Sequence, residues 1–369
     1  MTASFWKTLP VRTFSSRLEI SLIKYILRRL LLLPVIMFFV TLILFFLLLQ
    51  LPLEQRAMLY MPSTKPNISP EELAHLRKLV IEKRGLDKPF PVQYVNWLRN
   101  LVRGEWGYSP AWRQDVLLGI LHRAPATLEL SLAAMIPSLI LALLLGPLAA
   151  RYRRRLPDQL IRSLASIGWA FPSFILGLFL MNVFYAWLHW FPPERVSIWA
   201  GPIVSTESFR SYTGLYTVDA LLNGELGLFM DALRHLVLPS ITLVASECAL
   251  FTRILRVSTL EVLRQDYITT ARAKGLPEGR VMNLHARRNA LLPLISTGGV
   301  AVSALISGVV LVELVFNFNG LGRSAVKAIL ASDIPVAAGF ALFACLVTML
   351  ASLVADVLYA VVDPRVRLY

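Results

Sequence analysis

Six long apolar runs alternate along this chain with segments that hold most of its charge. A helix rises about 1.5 Å per residue, so about 20 apolar residues are needed to cross about 30 Å of hydrocarbon. Runs of that kind lie at Leu30–Leu51, Thr127–Ala149, Ile167–Leu188, Leu236–Leu255, Pro293–Phe316 and Val336–Val362. Each is predicted to be a transmembrane helix, because lipid offers no partner for an open backbone. Pro34, Pro137, Pro147, Pro172 and Pro239 fall in or beside these runs and are expected to be tolerated there. The pattern therefore predicts an all-α, polytopic membrane protein. It divides into an N-terminal segment (1–29), a first span (30–51), a long polar segment (52–126), a transmembrane core (127–363) holding a polar loop at 256–292, and a short tail (364–369).

Composition agrees. Apolar residues make up 56% and charged residues 16%, with a mean hydropathy of +0.62. A soluble domain has about 45–50% and about 25%. The net charge of +14 would point to nucleic acid in a soluble protein. Here most Lys and Arg sit beside apolar runs, where they set topology, and no nucleic-acid partner is expected. The short turn Arg151-Tyr152-Arg153-Arg154-Arg155 carries the clearest signal, since short loops are retained on the positive side. It predicts that both termini and the 256–292 loop face the cytoplasm, and that 52–126 is extracytoplasmic. The first run is too long for a signal-peptide core and lacks an A-x-A site after it, so it is expected to remain as a span.

Within 52–126, Ser69-Pro70-Glu71-Glu72 predicts a helix start, with Ser69 at the N-cap and Pro70 at N1. Gly85 predicts its stop. The segment 189–234 shows little periodicity.

Reactive chemistry is sparse. There is no GxxxxGK[ST] phosphate loop, GxSxG elbow or HExxH helix. His75, His122, His189, His235 and His285 are not spaced as ligands. Cys248 and Cys345 lie far apart within apolar runs and read as small hydrophobes. No catalytic residue, metal or cofactor is expected in this chain. Four acids fall in spans. Glu129 is close enough to an end to snorkel. Glu247 is deepest, and a structural pair with Arg or a span–span hydrogen bond is favoured over substrate contact; Glu313 reads similarly, and Asp356 lies near the inner end of the last run.

On the fifth run, Ser296, Thr297, Gly298, Gly299, Ser303, Ser307 and Gly308 give a small-residue character. Ser303 and Ser307 are four apart and share a face. Two readings stay open for Ser296, Ser303 and Ser307: part of a solute path, or close packing against a helix of the same chain.

The 256–292 loop contains Asp266-Tyr267-Ile268-Thr269-Thr270-Ala271-Arg272-Ala273-Lys274-Gly275 and, further on, Leu291-Leu292-Pro293. Asp266 suits a helix cap, and Ala271 and Ala273 suit a slim helix. Gly275-Leu276-Pro277 suits an abrupt stop. Arg272 and Lys274 are free to meet acids of a partner or anionic lipid. A solvated basic loop that only sets topology would look similar. The stretch resembles the EAA loop of ATP-binding-cassette (ABC) importer permeases. The resemblance extends from about Leu22 to the end, specifically to OppB/DppB-type permeases of peptide/nickel importers. It rests on Tyr25–Pro34, Gly85-Leu86-Asp87-Lys88-Pro89, Gly104-Glu105-Trp106-Gly107, Arg123–Leu130, Pro172-Ser173-Phe174, His235–Pro239, Gly320-Leu321-Gly322-Arg323 and Asp363-Pro364-Arg365-Val366-Arg367.

That resemblance implies the type I importer permease fold and a role as half of a path for peptides or a similar small solute. It implies that Thr269, Thr270, Ala271, Arg272, Ala273, Lys274 and Gly275 form a short helix contacting an ATPase. The implied partners are a second permease, two ATPase subunits that bind ATP and Mg, an extracytoplasmic solute-binding protein and the lipid of a bacterial-type inner membrane. The chain departs from the family in three places. Leu51-Pro52-Leu53-Glu54 replaces a Pro-Gly-Asp-Pro-like turn, Asn319 stands where Pro is common, and Thr269-Thr270-Ala271 lacks the Glu of the EAA triplet. The long spacing from Gly275 to Pro293 fits the peptide/nickel branch. A secondary, ion-coupled transporter would need an ion relay and inverted repeats, and a membrane enzyme would need a reactive cluster. Neither feature is visible.

Overall fold

The computed structural model describes residues 11–61 and 69–362. The sequence features at 1–10 and 363–369, including the terminal Asp363–Arg367 motif, lie outside the described residues.

Helix α1 (Val11–Leu49) leads through a turn into α2 (Leu53–Met58), α3 (Pro70–Arg84) and α4 (Phe90–Val102). A two-residue ribbon, β1 (Tyr108–Ser109) with β2 (Gln114–Asp115), precedes α5 (Val116–Arg151). Next come α6 (Leu156–Ala170) and α7 (Ser173–Leu180), which runs on as a π-helical segment, Met181–Trp187. The short helices α8 (Ala200–Ser205) and α9 (Tyr216–Leu222) precede α10 (Leu226–Val262). Helices α11 (Asp266–Ala273), α12 (Glu278–Arg280), a π-helical turn (Val281–Ala286) and α13 (Arg287–Ala290) form the loop after α10. The chain closes with α14 (Leu292–Ser296), α15 (Gly298–Val315), α16 (Leu321–Leu330) and α17 (Ile334–Val362).

Among the described residues, five helices are long and apolar enough to cross a membrane, and the bent α6–α7 pair makes a sixth if it counts as one span. Three expected spans lie within α5, α10 and α17, the first begins inside α1 and passes its end by two residues, and the fifth is built from α14 and α15. The helices overrun the apolar runs, so the boundaries expected at 29/30 and 126/127 fall inside α1 and α5. A helix satisfies its own backbone in water as well as in lipid, so the end of hydrophobicity does not end it.

The third expected span, Ile167–Leu188, is not one straight helix. α6 and the Ser173–Trp187 segment meet at 97°. Pro172 has no N–H to donate and forces Phe171 out of the helical region, to φ −93°, ψ 129°. Pro34, Pro137, Pro147 and Pro239 are carried inside helices.

α10 is the hub. It packs along α5, α6, α7, α9 and α15. Leu130, Leu236, Leu243, Leu305, Val309 and Phe316 are buried together in one core cluster. Of the apolar windows, 56% of that in α10 is buried, against 11% in α1 and 6% in α17. α1 and α17 therefore form an outer layer, with Leu31 and Phe39 of α1 and Leu350 and Val354 of α17 among its exposed apolar side chains. α4 closes on α1 through Phe45, Leu48 and Tyr94, and the Tyr94 and Thr41 hydroxyls are 2.9 Å apart.

Outside the spans, α3 begins with a capping box. The Glu72 N–H donates to Ser69 Oγ at 3.2 Å, and the Ser69 N–H donates to Glu72 at 3.3 Å. Gly85 ends α3 with φ +64°. At α9, buried Asp219 gathers the 211–214 turn by accepting from Ser211 Oγ, Thr213 N and Oγ1, and Gly214 N. Burial raises the Asp219 carboxyl, but the four hydrogen bonds outweigh it and hold the group below its ordinary value. A depressed value means the stabilisation is complete above the ordinary aspartate range and is lost as pH falls through the lowered value. Asp219→Ala is expected to cost about 1–3 kcal/mol locally. Limited proteolysis within 206–215 at neutral pH should accelerate, and unchanged cleavage would argue that the turn holds without the carboxylate.

Candidate coupling loop and translocation path

α11 leaves the end of α10 after only Leu263, Arg264 and Gln265. Gln265 occupies the N-cap, and Asp266, expected there, is instead the first helical residue, where its charge suits the helix dipole. The far end is a Schellman closure. The Gly275 N–H reaches Arg272 O at 2.9 Å, the Leu276 N–H reaches Ala271 O at 3.3 Å, and Gly275 has φ +76°. Only glycine takes that φ without strain.

The helix has an inner and an outer side. Ile268 and Ala271, three apart, are buried against Val281, Met282 and Ala286. Thr269, Thr270, Ala273 and Lys274 are exposed. Ala271 therefore seats the helix on its own chain and is not part of a free slim face, which corrects that part of the expectation. Arg272, expected to be available to a partner, is paired with Glu278 at 2.7 Å. Its hydrogen bond holds the Glu278 carboxyl below the usual carboxylate range, and Arg272 is raised in turn. Asn289 Nδ2 donates to Tyr267 Oη at 2.8 Å, tying α11 to α13. The result is a small, prebuilt module whose outward surface is Asp266, Thr269, Thr270 and Ala273.

Ser296, Ser303 and Ser307 each return their hydroxyl to the helix, to Pro293 O (2.9 Å), Gly299 O (3.1 Å) and Ser303 O (3.2 Å). Ser296 and Ser307 are exposed and Ser303 is half-buried. Glycines beside them are brought against other helices: a Cβ on Gly299 would collide with Ser352 of α17, and one on Gly308 would touch Leu243 of α10. The two readings left open at sequence level thus divide in part, with glycines packing inside the chain and the exposed Ser296 and Ser307 at its surface.

The acids in the spans are mostly partnered, and by residues far away in sequence. Glu129 does not snorkel. It is buried and accepts from Arg195 (2.8 and 3.1 Å) and from Thr217 N and Oγ1 (2.7 and 2.8 Å), while Arg195 stacks 3.5 Å from the Tyr216 ring centroid. Glu313 accepts from Thr127 Oγ1 at 2.6 Å and Arg323 N at 2.8 Å. A Cβ at Gly320 would run into its carboxylate, and one at Gly322 would run into Val310 with the carboxylate 3.1 Å away, which explains the two glycines of the Gly-Leu-Gly-Arg motif physically. Asp356 pairs with Arg29 at 3.1 Å, joining α17 to α1. Glu247 has neither of the partners favoured for it. It is buried, and its Oε2 has no hydrogen-bond partner among the described residues. A fifth acid was missed at sequence level. Asp158 is fully buried, receives Arg256 through two bonds (2.6 and 2.9 Å), and accepts the Arg154 N–H at 2.9 Å. Its position after an arginine turn was the available signal.

Ser197, Asp231 and His235 also meet, but not as a nucleophile site. Ser197 donates to Asp231 at 2.6 Å, and His235 Nδ1 is committed to Pro193 O at 2.8 Å. His235 Nε2 lies 3.1 Å from Ser197 Oγ and 3.7 Å from Asp231, but the serine donates its proton to the carboxylate and a backbone carbonyl holds Nδ1, so the order of bonds differs from that of a catalytic triad.

Residues 132–368 match the family described as binding-protein-dependent transport system inner membrane component. Residues 22–131 match the corresponding N-terminal family of the same transport systems. The chain belongs to this family. It is similar to the di/tripeptide transport system permease protein DppB of Pseudomonas aeruginosa, 39% identical over 287 residues that cover 78% of this chain and 84% of that protein. It is 38% identical to the dipeptide transport system permease protein DppB of Escherichia coli K12 (81% and 86% covered). It is 37% identical to the oligopeptide transport system permease protein AppB of Bacillus subtilis (79% and 85% covered). The OppB/DppB-type assignment and the all-α type I importer fold both stand. The chain is a multi-pass membrane protein and an ABC importer permease subunit; its relatives lend no support to an ion-coupled transporter, and ATPase activity belongs to separate subunits.

Proposed function

We propose that this permease forms half of an import path for short peptides and that α11 is its contact with an ATPase. Three relatives named for the di/tripeptide, dipeptide and oligopeptide systems share peptides as cargo, which supports the substrate class. The observation that carries the mechanical reading is the two-sided α11. Its inner face is locked to Val281 and Met282, and its outer face of Thr269, Thr270 and Ala273 is small and unengaged. Such a surface fits a groove on a partner and transmits its motion directly to α10, three residues away.

In this reading Thr269, Thr270, Ala273 and Lys274 touch the ATPase, while Ala271, Arg272 and Gly275 hold the helix in shape. A second permease completes the path, with Ser296, Ser303 and Ser307 on the solute side. Two ATPase subunits bind ATP and Mg, and an extracytoplasmic solute-binding protein delivers the peptide. The Arg151–Arg155 turn, the α11 loop and both termini lie on the cytoplasmic side of a bacterial-type inner membrane. ATP-driven closure of the ATPases shifts the population toward the outward-open state.

Cysteine placed at Thr269 should crosslink to a P-loop ATPase subunit in membranes, and cysteine at the buried Ile268 should not. A Thr269→Cys chain that transports a labelled dipeptide but yields no such crosslink would remove α11 from the contact.

A further inference from the structure

A cleft of about 200 Å³ opens at the Arg151 end of α5, between α5, the nearby end of α10 and the segment after α12. Leu144 and Leu148 form one wall. They end a ladder of exposed apolar side chains, Leu128, Leu132, Ile136, Ile140, Leu144 and Leu148, at i,i+4 spacing, which winds around α5 by about 40° per step. In a membrane protein a ladder of that kind meets acyl chains.

The cleft's other lining is polar. Arg151 and Arg287 stand at it with Asn283, and neither arginine is in an ion pair among the described residues. Glu278 is the acid that feels the charge of Arg151, and it is already paired with Arg272, so positive charge remains in excess. Thr259, also in the lining, is 1% exposed and its hydroxyl has no hydrogen-bond partner among the described residues. A buried hydroxyl without a partner needs an explanation, and a bound ligand oxygen would supply one.

We propose that this cleft binds an anionic phospholipid. Its phosphate lies between Arg151 and Arg287, whose guanidinium forks match phosphate oxygens. Its acyl chain follows Leu148 and Leu144 along the ladder. Thr259 and Asn283 supply neutral donors. A basic pocket at the end of an apolar helix face is the physical description of a headgroup site. The site also abuts the seat of α11, because Met282 lines the cleft and packs in the cluster that buries Ile268 and Ala271.

The test is retention of phosphatidylglycerol by the full chain, purified with its partner subunits in detergent supplemented with equal phosphatidylcholine and phosphatidylglycerol, and read by native mass spectrometry. The unaltered chain should keep phosphatidylglycerol. R151Q/R287Q should lower that retention about tenfold, while R153Q, in the same turn but outside the cleft, should not. Both replaced arginines are exposed, so folding should be intact. Leu148→Trp keeps both charges, fills the apolar end and should lower retention as well. Inorganic phosphate should not displace the lipid. Equal retention by R151Q/R287Q, unchanged retention by Leu148→Trp, or displacement by inorganic phosphate would each overturn the proposal. The readout needs neither ATP nor peptide, so its failure leaves the transport reading intact.

Discussion

Asp158→Ala is expected to destabilise the permease by about 3 kcal/mol, the lower end of what breaking a buried ion pair costs. The carboxylate is fully buried and Arg256 is 17% exposed, so the orphaned guanidinium recovers some water and the lower end applies. Three hydrogen bonds disappear together, two from Arg256 and one from the Arg154 N–H. α6 then loses its one ion pair to α10 among the described residues. The measurement is the thermal unfolding midpoint of the solubilised protein. Arg256→Ala should lower it similarly, and the double variant should be less than additive because the charges are removed together. Strict additivity would show that the two groups act separately.

The second large effect concerns α11. Ala273→Arg places a bulky side chain on the exposed face of a helix that both residues favour, so the permease itself should fold normally. Peptide uptake should nevertheless fall by about tenfold or more, the scale of losing one well-packed interface anchor. Ile268→Ala makes the complementary case. It hollows the buried seat of the helix and should cost about 2–5 kcal/mol of stability as well as transport. The two variants separate contact from support: both lose uptake, and only Ile268→Ala lowers the unfolding midpoint. Full uptake by Ala273→Arg would dismiss the exposed face as a docking surface.

The α11 loop was legible because its information is local. Ala-Lys-Gly-Leu-Pro states a helix end within five residues, and the structure ends the helix there. Spans were legible for the same reason, since hydropathy sums over neighbours. The bend at Pro172 was not, because a proline in an apolar run reads alike whether the helix carries it, as at Pro137 and Pro239, or breaks. What differs is the packing on either side of it. The buried pairs were also out of reach. Glu129 finds Arg195 66 positions on, Asp158 finds Arg256 98 on, and Thr127 finds Glu313 186 on. No local pattern announces such a partner. Gly320 and Gly322 were noticed as a motif, but their reason, room for the Glu313 carboxylate and for Val310, exists only in three dimensions.

The 97° bend has a consequence for the bilayer itself. Two helices meeting near a right angle cannot both stand along the membrane normal. If Ser173–Trp187 stands upright, its 15 residues reach about 22 Å at 1.5 Å each, and its π-helical turns shorten it further. The hydrocarbon layer beside it is about 30 Å thick. Lipid next to this segment must therefore thin, or let its headgroups sink toward Phe171, to avoid exposing polar backbone ends. The cost is fractions of a kcal/mol per Å of mismatch. A thicker bilayer would press on this one position more than on the long helices α5 and α10, making membrane thickness a load applied at the break between α6 and α7.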